Sequence, residues 1–246
     1  MTIAMKVIEV VGFSDSGKTV LIESLIQLLT QKNLKVGAIK KSFHHDIEYD
    51  KEGKDTYRME KAGALISAGF SKNRAFLSFN WPQNPFEFLR NFWKMDMVLI
   101  EGDMGFNVPK IYVLKEEENV LEDPLIFAYF TLNKSLHKTL PIRIYHLENL
   151  EELADYIASN TPNMLPQLDC GKCGYDCKTL TARILSGEST EEECKVLYGT
   201  KCRVTINGSN IELMPFLDKM LENIIKGFLS PLKGYREGKI KIEIEE

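Results

Sequence analysis

The stretch Lys6-Val-Ile-Glu-Val-Val-Gly12-Phe-Ser14-Asp15-Ser16-Gly17-Lys18-Thr19-Val20-Leu-Ile-Glu-Ser-Leu-Ile26 decides the fold. An apolar strand runs into a glycine-bounded loop, and the loop opens an amphipathic helix. From Gly12 to Thr19 the pattern Gly-x4-Gly-Lys-Thr lets successive backbone N–H groups face an anion, because only glycine tolerates the tight turn and the close approach. Lys18 is predicted to reach the β- and γ-phosphates of a nucleotide and Thr19 to offer its hydroxyl to Mg²⁺. The positive end of the following helix faces the same charge. Gly12, Ser14, Asp15, Ser16, Gly17, Lys18, Thr19 and Val20 are the expected nucleotide-binding residues.

Outward from this stretch, apolar strands alternate with amphipathic helices. Strands are expected over Met5 to Val11, Lys35 to Ile39 and Met97 to Ile100, with a helix from Thr19 to about Gln31. The alternation predicts an α/β fold, a P-loop NTPase with a mostly parallel sheet. Lys110 to Leu114, Ile126 to Thr131 and Ile142 to His146 extend that sheet, and a helix over Leu150 to Ala158 closes the unit. Two prolines within Thr161 to Pro166 mark a linker. Three parts are expected: a nucleotide-binding domain over 1–160, a cysteine-rich iron-sulfur module over 166–202, and a small α+β C-terminal cap over 203–246. The cap is expected to hold a strand at Arg203 to Ile206, an Asn207-Gly208 turn, a helix from Pro215 to Phe228 and an alternating strand from Lys239 to Glu245.

A magnesium-bound triphosphate also needs an acid at the end of a neighbouring strand, and Met97-Val-Leu-Ile-Glu101-Gly102-Asp103 supplies one. Lys18 and Glu101 are therefore the expected catalytic groups, and Thr19 with Glu101 the expected magnesium site. Asp96, at the other end of that strand, reads as a turn residue. The charged stretch from Lys40 to Asp55 leaves the second strand on the side where open α/β sheets bind ligands. Its groups suit phosphates, magnesium or a substrate, and equally suit a solvated loop. His44 and His45 also have the composition of a divalent-metal site, and Asp55 is alternatively the cap of a helix opening at Thr56.

Cys170, Cys173 and Cys177 lie on one short loop, and Cys194 comes after a helical stretch. Four thiolates are the ligand set of a [4Fe–4S] cluster. Structural zinc, the alternative, more often uses paired Cys-x2-Cys knuckles, and one such pair is present. Free or redox-active thiols are a third reading. Cys202 competes with Cys194 for the fourth place, or is a small buried residue opening a strand. Four of five cysteines within one segment do not resemble a secreted disulfide framework, which points to a reducing, cytoplasmic setting.

With 246 residues, 44% of them hydrophobic, the chain has material for one ordinary core and a smaller second one. A net charge of −4 offers no positive field for a nucleic acid or an anionic membrane. Neither a membrane span nor a basic-then-apolar leader is expected, since no apolar run approaches about 18 residues.

The loop Gly12 to Thr19, then His45-Asp46-x-Glu48-x-Asp50, Gly53-Lys54-Asp55-Thr56 with Arg58, Ala62-Gly63-Ala64, Val98-Leu-Ile-Glu101-Gly102 and Pro109-Lys110-Ile111 together resemble the MobB family. The resemblance spans residues 5 to 160 or so. It implies a dimeric GTP-binding adaptor with weak GTP hydrolysis that assists the MobA nucleotidyltransferase in making or delivering the guanine-dinucleotide form of the molybdenum cofactor. Molybdopterin or a molybdoenzyme is then the further partner. By the same matching, Lys18 and Thr19 contact phosphate and magnesium, Glu101 is the strand-end acid, and His45, Asp50, Lys54 and Asp55 stand near the γ-phosphate or the cofactor. The chain departs from the pattern at Ser42, where many relatives carry histidine. Asn133-Lys134-Ser-Leu136 lacks the aspartate of an Asn-Lys-x-Asp guanine reader and reads as a chance match.

The cysteine segment similarly resembles a small iron-sulfur domain, with Ala182 and Gly187 in the expected helix and helix end. It has one residue fewer between Cys173 and Cys177 and no proline after Cys194. Molybdenum- or tungsten-cofactor maturation is thus the leading expectation. A metal-insertion NTPase, with His44, His45 and the cysteines as cargo ligands, and an iron-sulfur electron carrier regulated by nucleotide are the alternatives.

Overall fold

In chain order the elements of the computed structural model are β1 (Lys6–Gly12), α1 (Lys18–Gln31), β2 (Val36–Lys40), α2 (Asp55–Lys61), β3 (Ile66–Phe70), β4 (Ala75–Phe79), α3 (Pro85–Phe88), β5 (Met97–Glu101), β6 (Lys110–Leu114), β7 (Ile126–Thr131), β8 (Ile144–Tyr145), α4 (Leu150–Asn160), α5 (Cys177–Leu185), β9 (Val204–Ile206), β10 (Ser209–Ile211) and α6 (Pro215–Leu229). Residues 5–42, 52–80, 83–115, 122–134, 136, 142–198, 202, 204–206, 209–211, 213, 215–236, 238 and 240–244 are described.

The chain divides at Met164/Leu165 into two units, Ile3–Met164 and Leu165–Glu246. The first is built on a six-stranded sheet of order β2-β5-β1-β6-β7-β8, with every pairing parallel. Such a sheet needs cover on both faces. That is why β6 and β7 are buried along their whole length and β5 along all but its last residue. Helix α1 buries Leu21, Ile22, Leu25 and Leu29, the spacing of one helical stripe, and packs against β1, β2, β5 and α4. A second cluster holds Val7, Val98 and Ile100 with Leu89, Phe106 and Val108.

β1 sits centrally, and the chain leaves it for β2 on one side of the sheet and returns to β6 on the other. Its C-terminal end is the switch point where open α/β sheets bind ligands. Register then fixes the neighbours: Val10 lies opposite Glu101, Lys40 opposite Glu101, and Gly12 opposite Val113. Asp96 serves its turn by accepting the Lys35 N–H at 2.7 Å.

Two features depart from the sequence reading. The first is an antiparallel hairpin, β3 with β4, that forms its own sheet against α2. Its connection, Ser71 to Arg74, has no glycine to announce a turn, and the Phe76 ring lies over Gly69, where a Cβ would stand. The second is a correction at the C-terminus. Residues 240–244 were expected within a strand, but they carry none, and Ile244 is 86% exposed. An alternating pattern supplies one apolar face, yet a strand also needs a ladder partner, and no described strand pairs with this segment. Expected strand Ile142 to His146 shortens to the two residues of β8. Among the described residues no helix is long and apolar enough to cross a membrane.

Candidate functional site

The loop after β1 holds three residues in the left-handed region, Gly12 (φ 144°), Asp15 (φ 57°) and Gly17 (φ 102°). Glycine is required at two of them on packing grounds as well. A Cβ on Gly12 would stand 2.5 Å from the carbonyl oxygen of Val113, and one on Gly17 would stand 2.5 Å from Cδ1 of Leu132. Ser14 and Asp15 are exposed, as are Thr19 and Val20 at the start of α1. Ser16 is buried, and its hydroxyl has no hydrogen-bond partner among the described residues. Lys18 curls back over the loop, its Nζ donating to the carbonyl oxygens of Gly12 (3.1 Å) and Phe13. An ammonium held on two carbonyls of a glycine-bounded turn at a helix N-terminus suits a phosphate chain.

Across the switch point, Thr19 Oγ1 donates to Glu101 Oε2 at 2.9 Å. Lys40 Nζ stands 3.3 Å from the other carboxylate oxygen. A hydroxyl and a carboxylate in contact at the mouth of a phosphate loop fit the hard oxygen ligands that Mg²⁺ takes, and the cradle that a Cβ would fill fits a phosphate.

The segment after Glu101 is tied into the core by charge. Glu9 in β1 is fully buried, and its Oε1 accepts the Met104 N–H at 2.8 Å. Lys110 Nζ lies 2.8 Å from Asp103, 3.4 Å from Glu9 and 3.7 Å from Asp123. Burial, then the charge of Asp103, pushes the Glu9 carboxyl up to about 7, although the Met104 N–H and Lys110 oppose the rise. For Lys110 burial works against the cation, but the hydrogen bond to Asp103 and the three carboxylates outweigh it and hold its pKa above the usual lysine value.

In the second unit, the five cysteines are free thiols, Cys170 exposed, Cys173 half-buried, Cys177 and Cys194 buried. The first four line one small apolar concavity whose walls include Leu165, Leu168, Leu180 and Val196. Helix α5 is capped by Asp176, which accepts the Thr179 N–H at 2.6 Å, and Asp169 accepts the Cys177 N–H at 2.8 Å, so the loop bearing Cys170 and Cys173 is anchored at its helical end. Burial pushes the Cys177 thiol up, so a bound cation is what would make it a thiolate there. Among the described residues no three His, Cys, Asp or Glu side chains already converge as a cation site. The donor set nonetheless fits an iron-sulfur cluster: four thiols around one apolar concavity. Cys202 is elsewhere, with its N–H on Asp218 Oδ1 at 2.7 Å and its Sγ 3.7 Å from the Asp218 carbonyl.

The family model "Molybdopterin guanine dinucleotide synthesis protein B" matches residues 7–130, the phosphate loop and the Glu101 strand included. The chain belongs to the MobB family. A relative from Methanocaldococcus jannaschii, named "Putative molybdopterin-guanine dinucleotide biosynthesis adapter protein", is 32% identical and aligns over 98% of this chain and 98% of its own. The Escherichia coli molybdopterin-guanine dinucleotide biosynthesis adapter protein is 29% identical over 59% of this chain and 87% of its own. Among solved structures, the crystal structure of Bacillus subtilis MobB superposes with a TM-score of 0.51 at 25% identity, covering 64% of this chain and 98% of that one. A second model, "Putative Fe-S cluster", matches residues 165–196. This MobB-family chain therefore joins a P-loop fold to an iron-sulfur type segment.

The structure brings together Gly12, Ser16, Gly17, Lys18, Thr19 and Glu101 at one end of the sheet. Lys54 and Asp55 are exposed at the start of α2. Lys54 is the N-cap, and Asp55 is the first helical residue, 3.9 Å from Arg58, so the alternative reading of Asp55 as the cap is corrected. His45 and Asp50, like His44 and the Asn207-Gly208 turn, lie outside the described residues. Two groups escaped the sequence reading. Leu132, beside the supposed chance match at Asn133-Lys134, packs onto Gly17, which sets the loop after β7 next to the phosphate loop. Lys134 itself pairs with Glu148. The other is the Glu9–Lys110–Asp103 cluster, whose one sequence signal was a charge inside an otherwise apolar strand.

Proposed function

We propose that this MobB-family chain is a GTP-binding adaptor in molybdenum- or tungsten-cofactor maturation, assisting formation or delivery of the guanine-dinucleotide form of molybdopterin. The observation that carries the reading is the Thr19–Glu101 contact at the lip of a loop held in left-handed turns. On nucleotide binding Lys18 leaves the Gly12 and Phe13 carbonyls for the phosphates, and the residues from Gly12 to Val20 present their amides to the same oxygens. Thr19 and Glu101 are the residues that would hold Mg²⁺, with Lys40 beside the carboxylate. His45, Asp50, Lys54 and Asp55 complete the γ-phosphate side. Nucleotide there changes affinity for a MobA-like nucleotidyltransferase. Slow hydrolysis, with Lys18 stabilising the departing charge and Glu101 holding the metal, resets it. The protein works in the cytoplasm as a homodimer.

Cys170, Cys173, Cys177 and Cys194 hold a [4Fe–4S] cluster, which when bound supplies one-electron chemistry or a staple for residues 165–196. The names of the relatives and the chemistry of both donor sets support this reading.

The test is anaerobic purification with iron, sulfide and zinc analysis, followed by calorimetric titration of the same sample with GTP and with ATP in Mg²⁺. About four irons and four sulfides per chain with tighter binding of GTP support the proposal. Heat for neither nucleotide overturns the adaptor reading, and zinc in place of iron overturns the cluster.

A further inference from the structure

Glu101 ends β5, and the chain beyond it must leave the sheet without letting that carboxylate drift. The segment Gly102 to Met104 is clasped from three strands. From β1, the Val10 carbonyl accepts the Gly102 N–H at 2.9 Å and the Glu9 carboxylate accepts the Met104 N–H at 2.8 Å. Just past β2, Lys41 donates its backbone N–H to the Glu101 carbonyl at 2.9 Å and its Nζ to the Asp103 carbonyl at 2.7 Å. From β6, Lys110 grips the Asp103 carboxylate at 2.8 Å while the same Nζ stands 3.4 Å from Glu9 and 3.7 Å from Asp123. Beyond the clasp, Phe106 and Val108 are sunk in the core.

Hydrophobic residues in place of Glu9 and Lys110 would fill the same space with no desolvation penalty, so stability alone gives no reason for two buried charges. Their position does. Glu9 lies three residues before Gly12 on the strand that carries the phosphate loop, and Lys110 lies opposite Glu9 in the neighbouring strand.

We infer that Glu9 and Lys110 are positioning residues for the magnesium side of the nucleotide site, fixing the segment after Glu101 through Met104 and Asp103 so that Glu101 faces Thr19. The inference rests on the proposed nucleotide reading. Neither residue touches the phosphate cradle itself, which is built from the backbone of Gly12 to Thr19. The two halves of the site are thereby separable: nucleotide held by the loop alone, and the extra affinity that Mg²⁺ adds through Thr19 and Glu101.

The test compares the full-length protein with Lys110→Met and with the double variant Glu9→Gln/Lys110→Met, titrated with the same nucleoside triphosphate with Mg²⁺ and with excess chelator. Lys110→Met leaves Glu9 buried without its cation and is expected to unfold more easily. The double variant removes both charges and recovers the fold, while Asp103 still lacks its lysine. In the double variant the metal-free affinity should stay within about twofold of the unaltered protein, while the gain contributed by Mg²⁺ should fall about tenfold or more. A purely structural role would lower both affinities together or neither. An unchanged magnesium gain in a folded double variant overturns the positioning role and leaves the nucleotide reading standing. Failure of the unaltered protein to bind any triphosphate overturns both.

Discussion

Lys18 shows how a single side chain is committed by its surroundings. Its ammonium rests on two loop carbonyls, the position from which the phosphate-loop lysine reaches the phosphates. Lys18→Ala should therefore abolish nucleotide binding, a loss of at least about a hundredfold, with the iron content unchanged; calorimetry and metal analysis of one preparation check this. Glu9 makes a pH prediction of a different kind. Its folded carboxyl titrates near 7 against an ordinary 4.5, so between those values the folded chain keeps a proton that the unfolded chain releases. Stability contributed by the neutral carboxyl is full below about 4.5 and is lost as pH rises to about 7, a fall of up to about 3 kcal/mol. Denaturant titrations across that window should show the slope, and Glu9→Gln should flatten it.

Elements explain which signals were readable. The phosphate loop and its helix lie within eight residues and need only local geometry, and the apolar run ending in Glu101 marks its own strand. Helix α5 was legible only as a helical stretch before Cys194, by resemblance to a helix carrying Ala182 and ending at Gly187; its Asp176 cap came from the structure. The hairpin β3–β4 did not, because its turn lacks glycine and its strands mix small and large residues. The expected strand at 240–244 failed for the opposite reason: its pattern was clear, but pairing is a property of two strands. At this scale the two candidates for the fourth thiol separate. Cys194, buried in the wall of the cavity it shares with Cys170, Cys173 and Cys177, should be essential, whereas Cys202 hydrogen-bonds at Asp218. Cys194→Ser should lose most of the iron and the visible absorbance of anaerobic protein, and Cys202→Ser should keep both. The reverse result would move the ligand set to Cys202.

At the scale of the molecule, two contact units each carry their own candidate site. The phosphate loop draws on β1, α1, β5 and the loop after β7, all before Met164. The thiol cavity draws on residues 165 to 196. Removing iron with a chelator under anaerobic conditions should therefore leave GTP affinity within about twofold, because the described candidate ligands of each site belong to one unit. A larger change would reveal energetic coupling between the two units.

Local chemistry in the chain itself made the phosphate loop, the strand-end acid, the cysteine cluster and the family resemblance legible, with Cys194 and Cys202 left as rivals for the fourth place, because each is a short run whose residue types and spacing are the physical requirement. Tertiary structure alone decided that Glu9 and Lys110 meet, that Leu132 closes on Gly17, that Cys202 stands apart from the other thiols, and that the last isoleucines stay unpaired. Those facts depend on register and on which strand lies beside which, and contacts between residues a hundred positions apart leave no periodic trace in the sequence.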